Sequence, residues 1–389
     1  MKFSECMNRL GTETAFKVLA KAKALEQSGK EIIHFEIGET GFDTPKHICE
    51  AAKSAIDKGY THYEPADGIL SLREVIAEDV NRRRGINVSA DNIVVTPGAK
   101  PIMFFGIIAC CESGNEIIYQ NPGFPIYESV IRFIGAKPVP IPLREENEFR
   151  MDIDELKSLV TEKTRMVIIN SPHNPTGSVL TEEDLKGISE IAINNDIIVM
   201  SDEVYKDILF EGEHISIMSF DGMTERTILI DGFSKTFSMT GWRLGYGVVP
   251  EELAHHITKL MVNSNSCTAS FTQRAGIAAL EGPMVDVDNM VSKLKERRNA
   301  IVKGLNSVDG ISCLNPKGAF YVFPSIKNLG ITSDEFESFL LDRAGIAALA
   351  GTSFGSYGEG YLRFAYCNSI ENINKAVTKI KNAVKEIKH

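Results

Sequence analysis

Between Asn92 and Val248 the chain alternates short apolar runs with stretches of helical periodicity, a pattern that few folds accept. Strand-like runs fall at 92–96, 116–120, 137–141, 165–170, 197–201, 227–231 and 244–248, with helical runs at 101–111, 125–134 and 181–194 between several of them. The strands are rich in Ile and Val, as expected of strands buried on both faces. Linked by helices, they predict the α/β class, with a mainly parallel seven-stranded sheet in a large domain over 46–283. Thr181 reads as the N-cap of its helix, with Asp184 in the first turn. Beyond about Leu280 the pattern changes. A long charged helix at 285–305 precedes short strands at 319–323, 346–349 and 361–365 and helices at 333–343 and 370–387. That is a smaller α+β domain over 284–389. The segment 1–45, with a helix at 13–27 and a strand at 31–37, is expected to join it.

Ligands of open α/β sheets bind beyond the carboxyl ends of the strands. Five runs here end in polar or Gly/Pro-rich loops, which together predict a site on one rim. After 92–96 comes Pro97-Gly98-Ala99-Lys100, where a helix opens. This is either an ordinary strand-to-helix turn or a phosphate cradle of free N–H groups. After 116–120 comes Asn121-Pro122-Gly123-Phe124-Pro125, and after 165–170 comes Ser171-Pro172-His173-Asn174-Pro175. Asp202 ends an apolar run just before Glu203-Val204-Tyr205, so it is either a helix cap or a buried carboxylate that needs a partner.

The last of these loops, Gly232-Phe233-Ser234-Lys235, continues to Gly241-Trp242-Arg243 and holds the chain's single Trp. A lysine among aromatic and small residues after a buried strand is expected to be partly desolvated. Desolvation lowers its pKa and makes the neutral amine a nucleophile, the kind that forms Schiff bases with carbonyls and with pyridoxal phosphate. Arg243 lies near enough in sequence to hold a phosphate in its fork, which favours the cradle reading at Gly98. Further along, Arg363 interrupts the apolar strand Tyr361-Leu362-Arg363-Phe364-Ala365. A buried arginine needs a partner, in the fold or in a ligand.

Composition narrows the classes. A chain of 389 residues with 43% hydrophobic and 24% charged content is globular. No apolar stretch reaches membrane-helix length, and residues 1–6 lack a signal-peptide core, so a cytoplasmic protein is expected. The net charge of −10 argues against general nucleic-acid binding, though not against a local basic pocket for an anionic substrate. Seven dispersed cysteines and eight histidines show no disulfide or metal-ligand spacing, and no metal is expected. No G-x-G-x-x-G follows the first strand, which removes a nicotinamide dehydrogenase.

Gly232-Phe233-Ser234-Lys235, Ser238-Met239 and Gly241-Trp242-Arg243-Leu244-Gly245 together resemble the cofactor-attachment signature of class I/II aminotransferases of the aspartate aminotransferase type, a family of fold type I. The resemblance runs from about Glu36 to Tyr366. It implies pyridoxal 5'-phosphate carried on Lys235, with Lys235 as the acid–base catalyst. It further implies that Asp202 meets the pyridine nitrogen, that Tyr205 and Asn174 meet the phenolic oxygen, and that Phe124 stacks on the ring. Gly98, Ala99, Lys100, Ser234 and Arg243 would hold the phosphate, joined by Tyr63 from the neighbouring subunit of a homodimer. Gly38 would let the backbone approach the substrate, and Arg363 would grip the substrate α-carboxylate. The small-molecule partners implied are an L-amino acid and a 2-oxo acid such as 2-oxoglutarate. In one branch of the family a lysine matching Lys100 receives the distal carboxylate of aspartate; a solvated or acid-paired Lys100 is the other reading. Many members carry a serine where this chain has Gly232, so one phosphate hydroxyl is expected to be missing. Two other readings remain open on the same residues: a C–S lyase or related synthase, and a cofactor-binding regulator without turnover.

Overall fold

A computed structural model describes residues 1–387. In chain order its strands are β1 (Ile33–His34), β2 (Ile93–Thr96), β3 (Glu116–Asn121), β4 (Lys137–Pro142), β5 (Thr164–Asn170) and β6 (Ile198–Asp202). They continue with β7 (Thr227–Gly232), β8 (Gly245–Val248), β9 (Tyr321–Val322), β10 (Ile346–Ala347), β11 (Leu349–Ala350) and β12 (Leu362–Ala365). The large sheet has seven strands in the order β2-β8-β7-β6-β5-β3-β4. Its pairs are parallel except those made by β8, which runs against both β2 and β7. Since β2 opposes β8 and β8 opposes β7, β2 runs with the parallel set, and the carboxyl ends of β2, β3, β5, β6 and β7 share one rim.

Both faces of this sheet are buried, which explains the unbroken apolar runs. Successive residues of a strand point to opposite sides. Ile117, Tyr119, Ile168 and Met200 pack with the helices Lys100–Cys110 and Ile126–Phe133, while Ile118, Val167, Ile169 and Val199 pack with Leu185 and Ile188 of Glu182–Asn194. Thr181 caps that last helix in a capping box with Asp184, as its sequence position predicts.

The N- and C-terminal parts meet directly. β1 pairs with β10 in parallel, and β11-β12-β9 form a separate antiparallel sheet. Here several expected bounds change. The strand expected at 31–37 is only two residues long, because Phe35 hands its backbone on, its N–H donating to Ala347 O while its C=O accepts from Ala365. The run 346–349 divides at Ala348 between two sheets, a break that Ile-Ala-Ala-Leu gives no sign of. The helix expected at 333–343 is α-helical only over Ser333–Phe339 and ends in a wider turn before Gly345, whose φ of +65° suits glycine. No described helix is long and apolar enough to cross a membrane.

Candidate active site

The rim loops and the terminal segments enclose a cavity of about 480 Å³. Lys235, Asp202, Tyr205, Asn174, Phe124, Ala99, Lys100, Ser234, Arg243, Gly38 and Arg363 all line it. Gly98 lies just outside, against Arg243, and Tyr63 is on the surface at 88% exposure. The structure therefore gathers every candidate but Tyr63 into one place.

Lys235 sits in the short helix Phe233–Thr236 that β7 feeds. Its Nζ donates to Gly38 O at 2.6 Å and lies 5.6 Å from the Phe320 ring centroid. Burial pushes the ammonium down to about 8, and the nearby Arg363 guanidinium pushes the same way. The desolvation expected from the sequence is thus present, at the amine itself.

Asp202 closes β6. Its Oδ2 accepts from the Tyr127 hydroxyl at 2.6 Å and its Oδ1 from Val204 N–H at 3.3 Å. Burial nevertheless raises the carboxyl to about 6, so an additional cationic donor would stabilise its anion. Tyr205 is buried and shares a 2.9 Å hydrogen bond with the Tyr321 hydroxyl. Asn174 is held from below, its N–H donating to Asn170 Oδ1 at 2.8 Å, which leaves its side chain for Arg363. Phe124 packs edge-on to Tyr127, 5.5 Å between centroids.

The Pro97–Lys100 turn is built around close backbone contact. Gly98 has φ of +83°, and a β-carbon there would collide with the Arg243 guanidinium. Gly245 of β8 lies directly beneath Ala99, where a β-carbon would collide with the Ala99 N–H group. Thr96 Oγ1 donates to Gly98 O at 2.7 Å, and no side chain caps the helix Lys100–Cys110 that follows. The turn thus presents an uncapped helix N-terminus beside a guanidinium, an anion site by construction. Gly232 belongs to the same packing: a β-carbon there would stand 3.1 Å from Gly245 Cα and 3.2 Å from Leu244 O. The absent serine therefore matches a locally tight backbone.

Arg363 is 4% exposed, and no carboxylate among the described residues pairs with it. Its Nη1 donates to Asn174 Oδ1 at 3.2 Å, its Nη2 to Glu36 O, and its buried Nε has no partner. Rings of Tyr321 and Phe354 flank it at 4.6 and 4.9 Å, and burial lowers its pKa. The structural salt bridge left open by the sequence is absent. Lys100, in contrast, takes its acid-paired reading, with Glu13 as partner.

Sequence reasoning gave no role to Tyr127, Asn170, Tyr321 and Glu13, which support or line the cavity. Tyr127 and Asn170 adjoin loops already singled out, so their place in the chain was a usable signal. Tyr321 and Glu13 come from the terminal parts and carry no such mark. Also missed was a buried ion network behind the site. Arg84 donates to Glu203 at 2.8 Å and to Asp231 at 2.7 Å, Lys206 bridges Asp231 and Asp207, and Thr236 donates to Asp207 at 2.9 Å. It ties the residues flanking Asp202 to those flanking Lys235.

The chain matches the family described as aminotransferase class I and II over residues 30–380. It is 43% identical over 363 residues to an aspartate aminotransferase of Pyrococcus abyssi, covering 92% of this chain and 93% of that one. To aromatic-amino-acid aminotransferase 2 of Thermococcus litoralis it is 42% identical, covering 94% of each. Among solved structures it resembles an aspartate aminotransferase from Thermus thermophilus with maleate, at a TM-score of 0.95, 31% identity, and coverage of 98% and 100%. The chain belongs to the class I and II aminotransferases, enzymes that transfer amino groups.

Proposed function

We propose that this aminotransferase uses pyridoxal 5'-phosphate to move the amino group of an L-amino acid, of aspartate type or over a broad range, to a 2-oxo acid such as 2-oxoglutarate. One observation carries the reading. A buried guanidinium without a carboxylate partner faces the same cavity as a lysine brought down to about 8. The first suits a substrate carboxylate, the second a nucleophilic amine and proton carrier.

The residues fit the cofactor. The glycine-built turn beside Arg243 suits its phosphate, and the raised carboxyl of Asp202 suits a protonated ring nitrogen. Gly98, Ala99 and Lys100 would contribute N–H groups, Ser234 its hydroxyl and Arg243 its fork. Gly232 leaves that cup one hydroxyl poorer, which weakens retention more than chemistry. When bound, the cofactor supplies an electron sink for charge developing at the substrate α-carbon. Lys235 would hold it through the amine and would serve as the proton carrier at that carbon. Asp202 would hold the ring proton, Tyr205 and Asn174 would meet the phenolic oxygen, and Phe124 would cover the ring. Arg363 would fix the α-carboxylate, and Gly38 would let the backbone approach the substrate.

Tyr63, exposed and outside this cavity, is read as serving the phosphate cup of a second copy in a homodimer. The division into 46–283 against 1–45 with 284–389 places Lys235 and Arg363 on different domains. Substrate binding to both then favours closure and excludes water. Cytoplasmic residence accords with seven free cysteines. A panel of L-amino acids assayed against 2-oxoglutarate and pyruvate tests the reaction. Transfer to the acceptor is expected; release of a 2-oxo acid and ammonia without an acceptor would make the chain a lyase instead.

A further inference from the structure

Glu13 stands two residues before the helix Ala15–Gln27, and its carboxylate pairs with Lys100 Nζ. Both line the cavity, together with Phe16, Phe124, Lys235 and Arg363. The Glu13 side chain is 19% exposed and that of Lys100 50%. The Glu13 carboxylate lines the cavity itself, and its charge partly offsets the burial that lowers the pKa of Lys235 and Arg363. Lys100 Nζ also lies 5.4 Å from the Phe124 ring centroid, so ion pair and aromatic wall are contiguous.

An amino acid with a second carboxylate meets two costs at this wall. It must displace Glu13 from Lys100, and it then sits beside a like charge. A neutral side chain leaves the pair intact and packs on the rings of Phe16 and Phe124. We propose that Glu13 is a specificity-determining residue: by occupying Lys100 it shifts the side-chain pocket away from dicarboxylates and toward neutral and aromatic amino acids. The inference rests on the aminotransferase reading above and gives it a substrate class.

The test compares wild type and Glu13→Gln for kcat/KM with L-aspartate and L-phenylalanine. Pyruvate is the acceptor, so that only the donor can carry a second carboxylate. Binding of succinate and of 3-phenylpropanoate is measured alongside, without turnover. The aspartate-to-phenylalanine ratio should rise roughly fivefold, the upper range for a part-exposed ion pair, and succinate should bind correspondingly tighter. In a Lys100→Met background, Glu13→Gln should raise the ratio by less than it does in the wild type, because the pair it breaks is already gone and only the like-charge cost remains. An unmoved ratio with unmoved succinate binding would overturn the proposal. So would an equal rise in the Lys100→Met background, which would make Glu13 a diffuse charge. If wild type transferred no amino group from any donor, the aminotransferase reading would fail, and succinate binding would still decide the role of Glu13.

Discussion

Replacing Arg363 by lysine keeps one positive charge and removes the planar fork. In the wild type the guanidinium spends Nη1 on Asn174 and Nη2 on Glu36 O, and still has a buried Nε without a partner. A single ammonium on a flexible stem cannot satisfy those acceptors and also present two parallel donors to a carboxylate. At least one charge-assisted hydrogen bond to substrate is lost, which costs about 1.5–3 kcal/mol. At 1.4 kcal/mol per decade, KM for alanine should rise roughly 10- to 150-fold. Alanine is the right donor because it has no second carboxylate to engage Lys100. Cofactor content, read from its absorbance, should be preserved, since Arg363 is assigned to substrate alone. A KM within about twofold of wild type in a fully loaded variant would show that the α-carboxylate is held elsewhere. Loss of cofactor in parallel with affinity would refute the division of labour between Arg363 and the rim.

The Lys235 amine should titrate near 8 in the cofactor-free protein, so its labelling by an amine reagent should climb between about pH 7 and 9, not near 10.5. The unfolded chain binds the proton up to about 10.5 and the folded one only to about 8, so this group adds stability to the cofactor-free protein as pH rises between them. Arg84→Met should lower the unfolding free energy by about 3–5 kcal/mol in urea titrations, because it strands the buried carboxylates of Glu203 and Asp231. A loss below about 1 kcal/mol would mean that Lys206, His214 and Tyr246 already compensate them.

The sheet was legible because burial on both faces leaves an uninterrupted apolar run at each strand, and because each rim loop follows its strand in sequence. Asp202, Asn174 and Lys235 are therefore found by reading to the end of a strand. The terminal parts resisted the same reading. Their strands are two to four residues long, too short for alternation to show, and Phe35 serves two neighbours at once. Contacts that complete the cavity cross long stretches of chain: Glu13 and Lys100 are 87 residues apart, Arg363 and Glu36 327. No local period encodes such pairings. The ion network behind the site was hidden for another reason: Arg84 closes a run of three arginines, which reads as a solvated helix end, yet it is 6% exposed.

On this reading one amine, Lys235, carries pyridoxal phosphate. Borohydride reduction of the cofactor-loaded protein, followed by peptide mapping, identifies that amine. A single pyridoxyl-modified peptide containing Lys235 is expected. A label on Lys100, the other lysine lining the cavity, or on no lysine at all would contradict it.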